Sequence, residues 1–243
     1  MIKHLYVTGD SFAFGQELTP SNHSNLYDFT LRHRKLCYSG IIADTFGITY
    51  KNNALPGGSN ERNYRTLITD ISKTLTKYKP SEIFVNISLT HSYRREFFMK
   101  AFNDWYPYMA TCEPKEEHRD HHALWELFSK SVNTDLGNSM FDIMNILGMQ
   151  NFLLRHKIPY LFTSSMGNAR EAEILQKNVP AELLNGIYRP RFYDVISFNT
   201  HTGVNNYPRG SGGHPLREGH RAWAEHLLEH INTNNLLDNS DLL

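Results

Sequence analysis

An excess of charge of either sign is missing from this chain. Lys+Arg and Asp+Glu each number 25 in 243 residues, for a formal net charge of +0. A protein that neutralises nucleic-acid phosphates needs a basic excess to displace their counterions, so no nucleic-acid partner is expected. An anionic membrane surface is no better matched. Cysteine is scarce: Cys37 and Cys112 are the only two. Their spacing suits neither a metal knuckle nor a redox pair, so two free thiols in a reducing compartment are expected. No apolar run approaches the roughly 20 residues that span a bilayer. Met1–Thr8 has too short an apolar run for a secretory signal. The expectation is a soluble, cytoplasmic protein with no membrane partner. A G-x-S-x-G nucleophile elbow is also absent.

What remains is an ordinary globular composition, 40% hydrophobic and 12% aromatic, outside the disordered regime. The pattern alternates short apolar runs with helical periodicity. His4–Thr8 reads as a strand ended by the turn Gly9-Asp10-Ser11. A helix is predicted from about Asp28 to Phe46, closed by Gly47, then a strand Ile48–Asn52. The glycine turn 55–60 follows, with Ser59 or Asn60 capping a helix that carries Tyr64, Leu67, Ile68 and Ile71. Glu82–Ser88 is a near-continuous apolar strand, as buried parallel strands are. Phe141–His156 is an amphipathic helix, Ile158–Thr163 a fourth strand, and Phe192–Phe198 a weaker fifth. A Gly- and Asn-rich loop covers 199–213. His214-Pro215 opens a final helix with Leu216, Trp223, Leu227, Leu228 and Ile231 on one face. Alternating strands and helices imply βαβ units. The expected fold is a three-layer α/β/α sandwich, flavodoxin-like, with a mostly parallel sheet of about five strands. It forms a single domain over 1–243, with an irregular aromatic and histidine-rich insertion at about 100–135 and a polar, loosely held tail at 232–243.

In open α/β sheets, ligands bind outside the carboxyl ends of the strands. That rim receives Ser11, the glycine turn 55–60, Ser88-Leu89-Thr90-His91 after the third strand, and the loop before His214. A serine, a histidine and glycine turns on one edge are the parts of an acyl-transfer site: the imidazole takes the hydroxyl proton, and backbone N–H groups hold the oxyanion.

Gly9-Asp10-Ser11-Phe12 after the first strand resembles block I of the SGNH (GDSL) hydrolase family. Asn53–Asn60 is similar to its glycine-bearing second block. Gly213-His214-Pro215 with Gly219-His220 resembles its terminal block. The likeness runs in order along nearly the whole chain, although the middle third matches by strand placement alone. It implies Ser11 as nucleophile and His214 as general base, then general acid. It also implies an oxyanion hole from the Ser11 N–H and the N–H of Gly57 or Gly58. No cofactor and no metal are implied.

Two positions depart from the family. Its third block is Gly-x-Asn-Asp, whose Asn completes the hole, but Thr90 stands where that Asn is expected, leaving Thr90, Asn60 or Asn86 as substitutes. The family also carries Asp two or three residues before the histidine, where this chain has Gly212 and Ser211. A backbone carbonyl of 210–213 or the more distant Glu218 would then orient the ring, or Ser11 and His214 would work as a dyad without the usual Asp. Elsewhere, Arg94-Arg95-Glu96 reads as a solvated ion pair, or else as a site for an anionic substrate group. His118, His121, His122 and the pair His226/His230 read as solvated or capping residues rather than metal ligands. Trp105, Tyr106, Tyr108 and Trp125 read as loop packing, or else as a lid for a sugar ring. The function expected is a serine esterase that removes a small acyl group, such as acetyl, from a carbohydrate or small-molecule ester. The rival is a module of the same fold that binds glycans or assembles without turnover.

Overall fold

The computed structural model describes residues 1–18, 35–100, 103–109, 122–165, 177 and 207–237. In chain order these form β1 (His4–Thr8), α1 (Ser11–Phe14), α2 (Tyr38–Phe46), β2 (Thr49–Asn52) and α3 (Asn60–Thr74). Then follow β3 (Ile83–Leu89), β4 (Arg94–Met99), β5 (Asp104–Met109), α4 (His122–Leu127), α5 (Asp135–Arg155), β6 (Tyr160–Ser164) and α6 (Arg217–Thr233).

The main sheet has the order β2-β1-β3-β6, and every pair in it is parallel. Side-chain alternation divides the core in two. Leu5 and Val7 of β1 and Phe84 of β3 face a cluster with Tyr38 and Ile42 of α2 and with Trp223, Leu227 and Ile231 of α6. Tyr6, Ile83, Val85 and Ile87 face Leu67 and Ile71 of α3 and Ile146, Met149 and Leu153 of α5. Both faces are thus covered, which is why all seven residues of β3 are buried and read as one apolar run. The three-layer α/β/α sandwich is as expected. Four parallel strands lie among the described residues, and the predicted fifth, Phe192–Phe198, falls outside them.

Boundaries moved where caps, not periodicity, set them. Gly47 closes α2 at φ 63°, with its N–H on Ala43 and Asp44 carbonyls. The start of α2 is Tyr38 because Cys37 is extended; positions 28–34 of the predicted helix are outside the described residues. Ser59 accepts the Arg62 N–H at the start of α3. α5 begins six residues before the predicted Phe141, since Thr134 caps it by accepting the Gly137 N–H. Its first turns expose Leu136 and Met140, so apolar periodicity gives no sign of them. His214 and Pro215 precede α6 rather than open it, with Leu216 as the N-cap.

Two expectations are corrected. The region after β3 is not irregular throughout: β4 and β5 pair antiparallel from Arg94↔Met109 to Met99↔Asp104. The charged triplet on β4 is not solvated either, because Arg94, Arg95 and Glu96 are all buried. Arg95 pairs with Glu61 at 3.0 Å, and Glu96 takes both the Nε and Nη2 of Arg65 at 2.9 and 2.6 Å. These pairs bind the hairpin to α3. Trp105 meets Phe98 edge-on and lies under the Arg65 guanidinium. The tail is partly anchored, with Leu236 and Leu237 packed on the core; residues 238–243 are outside the description. No helix among the described residues is long and apolar enough to cross a membrane.

Candidate active site

The strand order reverses direction at β1, which has β2 on one side and β3 on the other. Such a switch point opens a crevice at the carboxyl ends. Ser11 stands there because β1 ends at Thr8 and α1 begins directly after Gly9-Asp10. Gly9 lets the turn seat: a Cβ on it would fall 2.7 Å from Ala13 Cβ and 2.8 Å from Ser88 Cβ. Asp10 caps α1 by accepting the Phe12 N–H at 3.0 Å. Ser11 is the first residue of α1, so its N–H has no intrahelical acceptor.

The 55–60 turn docks on the same place, with Leu55 N–H donating to the Gly9 carbonyl at 3.0 Å. Leu55-Pro56-Gly57-Gly58 has the pattern of a type II turn, with Pro second and Gly57 third at φ 74°. Gly58 N–H closes it onto the Leu55 carbonyl at 2.9 Å. Of the two candidate glycine donors, Gly58 is therefore engaged within its own turn.

Asn60 and Thr90 form a clamp. The Thr90 N–H donates to Asn60 Oδ1 at 3.0 Å, and Asn60 Nδ2 donates to the Thr90 carbonyl at 3.1 Å. The Thr90 hydroxyl donates to Asp10 Oδ2 at 2.9 Å and accepts from Arg94 Nη1 at 2.8 Å. Arg94 Nη1 also pairs with Asp10 Oδ2 at 3.1 Å. Thr90 thus ties the end of β3 to Asp10, the cap of α1. Asn86 is occupied in mid-strand: its Oδ1 accepts from Tyr38 and its Nδ2 donates to the Leu161 carbonyl and Thr163.

His214 reaches this turn from the far end of the chain. Its ring lies 5.6 Å, centroid to centroid, from that of Phe12, the neighbour of Ser11. The hydroxyl of Ser11 and the ring of His214 are not hydrogen-bonded to one another. The ring's partner is instead Glu17, whose Oε2 is 2.8 Å from Nδ1. Oε2 also accepts the His214 N–H at 3.2 Å, and Oε1 accepts the Gly212 N–H at 2.7 Å and the Ser211 hydroxyl at 3.1 Å. Burial alone would push the Glu17 carboxyl up. The Gly212 N–H, the His214 ring and N–H, and the Ser211 hydroxyl together outweigh it and hold it at about 2. Glu218 is exposed in the first turn of α6 and is not the ring's partner. The acid that meets the ring lies not beside Ser211 and Gly212 but 197 positions away, at Glu17. The available signals were a carboxylate six residues after Ser11 and a glycine-rich loop with no acid of its own.

A family model described as "Family of unknown function (DUF6071)" matches residues 19–242. The chain belongs to DUF6071. The span matched in this DUF6071 protein includes Gly57, Thr90 and His214 and begins just after Glu17. No curated protein sequence matches the chain. Solved structures similar to it share the fold of SGNH hydrolases. One is a lipolytic protein of the G-D-S-L family from Desulfitobacterium hafniense DCB-2, with TM-score 0.52 and 14% identity over 93% of this chain and 98% of that one. Another is TesA, with TM-score 0.54 and 12% identity over 99% and 100%. A third is the acetyl xylan esterase Est2A from Butyrivibrio proteoclasticus, with TM-score 0.53 and 11% identity over 97% and 65%.

Proposed function

We propose that this DUF6071 protein is a serine hydrolase of SGNH type that cleaves a small acyl group, such as acetyl, from a carbohydrate or small-molecule ester. The observation that carries the reading is the arrival of His214 against Phe12, in the turn that presents Ser11, with its Nδ1 on a carboxylate. Ser11 Oγ attacks the ester carbonyl as His214 Nε2 takes its proton. The oxyanion is held by the Ser11 N–H and, since Gly58 closes its own turn, by the Gly57 N–H. Collapse of the tetrahedral intermediate breaks the C–O bond, and the alcohol leaves with the proton from His214. Water, deprotonated by the same ring, then hydrolyses the acyl-enzyme and restores Ser11. The engaged hydroxyl of Thr90 offers no third donor, and loss of one such donor costs roughly 10²–10³ in rate. Slow turnover is therefore expected.

The same engagement favours a second reading, a binding module of this fold without turnover. A chromogenic acetate ester separates the two. Ser11→Ala and His214→Ala should each lose about 10³-fold or more of kcat, and a fluorophosphonate should label Ser11. No turnover together with no labelling assigns the site to binding.

A further inference from the structure

We infer that Glu17 is the positioning residue that orients His214, so that the nucleophile and its supporting acid lie on one continuous stretch, residues 11–17. The inference rests on the hydrolase reading above. In that fold the acid is expected just ahead of the histidine, where this chain has Ser211 and Gly212. Glu17 reaches the ring from the opposite end of the sequence.

Four donors converge on this side chain, all from the 211–214 loop: the Gly212 N–H, the Ser211 hydroxyl, the His214 N–H and the His214 ring. A carboxylate ion only accepts. Facing one, Nδ1 carries the ring proton, and Nε2 keeps the lone pair that a general base needs. Two independent features agree. A Cβ on Gly210 would lie 2.5 Å from Glu17 Cδ, and one on Gly212 would lie 2.9 Å from Oε2. The loop thus lacks side chains where the carboxylate enters. Glu17 itself sits at φ 69°, a left-handed conformation that a residue with a Cβ adopts only when its surroundings hold it there. The Glu17 side chain is 8% exposed and that of His214 16%, so the pair sits at the edge of the loop with little of the carboxylate open to solvent.

The test reads ring tautomer and turnover together, on the full chain labelled with ¹⁵N-histidine at a pH where the ring is neutral. In Glu17→Gln, the amide oxygen keeps the shorter bond, from Gly212 N–H, so the NH₂ group faces Nδ1 and donates to it. The His214 proton should move from Nδ1 to Nε2, and kcat should fall by about 10³–10⁴ with KM changed less than about threefold. Ser211→Ala removes one loop bond to Glu17 without touching the ring; it should leave the proton on Nδ1 and kcat within about threefold. Glu17→Asp keeps the charge on a shorter arm, and should keep the proton on Nδ1 with an intermediate kcat even if the Gln variant does not fold. An unmoved ring proton in Glu17→Gln overturns the inference, as does a proton on Nε2 in Glu17→Asp. A loss in Ser211→Ala as large as that in Glu17→Gln overturns it too, since Glu17 would then be only a loop anchor. A proton that moves in a protein with no turnover leaves the ring assignment standing and sinks the hydrolase reading instead.

Discussion

Asp10 and Arg94 make a buried ion pair in the turn that carries Ser11, and its removal should be costly in a specific pattern. Asp10 has no exposed surface, and the Arg94 side chain is 9% exposed. Asp10→Ala deletes the cap of α1, worth about 1 kcal/mol. It also strands the charge of a guanidinium left with only the neutral Thr90 hydroxyl as acceptor, because Arg94 Nε is already without a partner among the described residues. Stranding one member of a buried pair costs about 3–5 kcal/mol, so the variant should lose about 4–6. Arg94→Met strands the carboxylate, which keeps the Phe12 N–H and the Thr90 hydroxyl. Its cost should sit near the low end, about 3 kcal/mol. The double variant removes both charges and should retain only the cap and packing losses, about 1–3 kcal/mol. It is therefore expected to be more stable than Asp10→Ala alone. Equilibrium urea unfolding at pH 7, read as midpoints at constant slope, measures all three. Single variants that each cost under about 1 kcal/mol, or a double variant equal to their sum, would refute the reasoning.

Gly9→Ala forces a Cβ onto Ala13 and Ser88, two short side chains fixed by backbone. About 1–3 kcal/mol of stability should be lost, with the proposed ester turnover falling further because Ser11 shifts; a stability change within about 0.5 kcal/mol in urea would contradict the packing. Glu17 gives a pH signature of definite sign. Its carboxyl falls from 4.5 unfolded to about 2 folded, so its stabilisation is complete above pH 4.5 and is lost as pH falls toward 2. The shift sets a ceiling of about 3 kcal/mol, which solvent at the loop's edge cuts to about 1–2. The gap between wild type and Glu17→Gln should shrink by that amount between pH 4.5 and 2 in denaturant titrations, and a constant gap counts against it.

The parts legible in the sequence were those whose cause is local. β3 reads as a strand because both its faces are covered, so no polar residue need interrupt it except Asn86 and Ser88. Gly47 and Ser59 mark helix ends through bonds made within four residues. Ser11 and His214 stand out because glycines and a proline flank them. What stayed hidden depends on partners remote in sequence. The triplet Arg94-Arg95-Glu96 looks solvated until Asp10, Glu61 and Arg65 are brought to it, and the hairpin it belongs to was hidden with it. Glu17 and His214 are 197 positions apart, and no local pattern links them. Thr90 occupies the expected place, yet its hydroxyl is spent on Asp10 and Arg94, which spacing alone does not reveal.

The distribution of parts along the chain has a consequence for biosynthesis. Ser11 and Glu17 leave the ribosome before the imidazole, which follows Glu17 by 197 positions in the segment ahead of α6. That helix then lodges on α2, where His220 lies over Tyr38 with their ring planes 10° apart. On the proposed chemistry, a nascent chain carries an inert alcohol until His214 has been made, and its reactivity switches on only when α6 docks. A chain truncated upstream of His214 would keep the hydroxyl, lose the imidazole proposed to deprotonate it, and lose with α6 the Trp223, Leu227 and Ile231 side chains that pack in one cluster with Phe12.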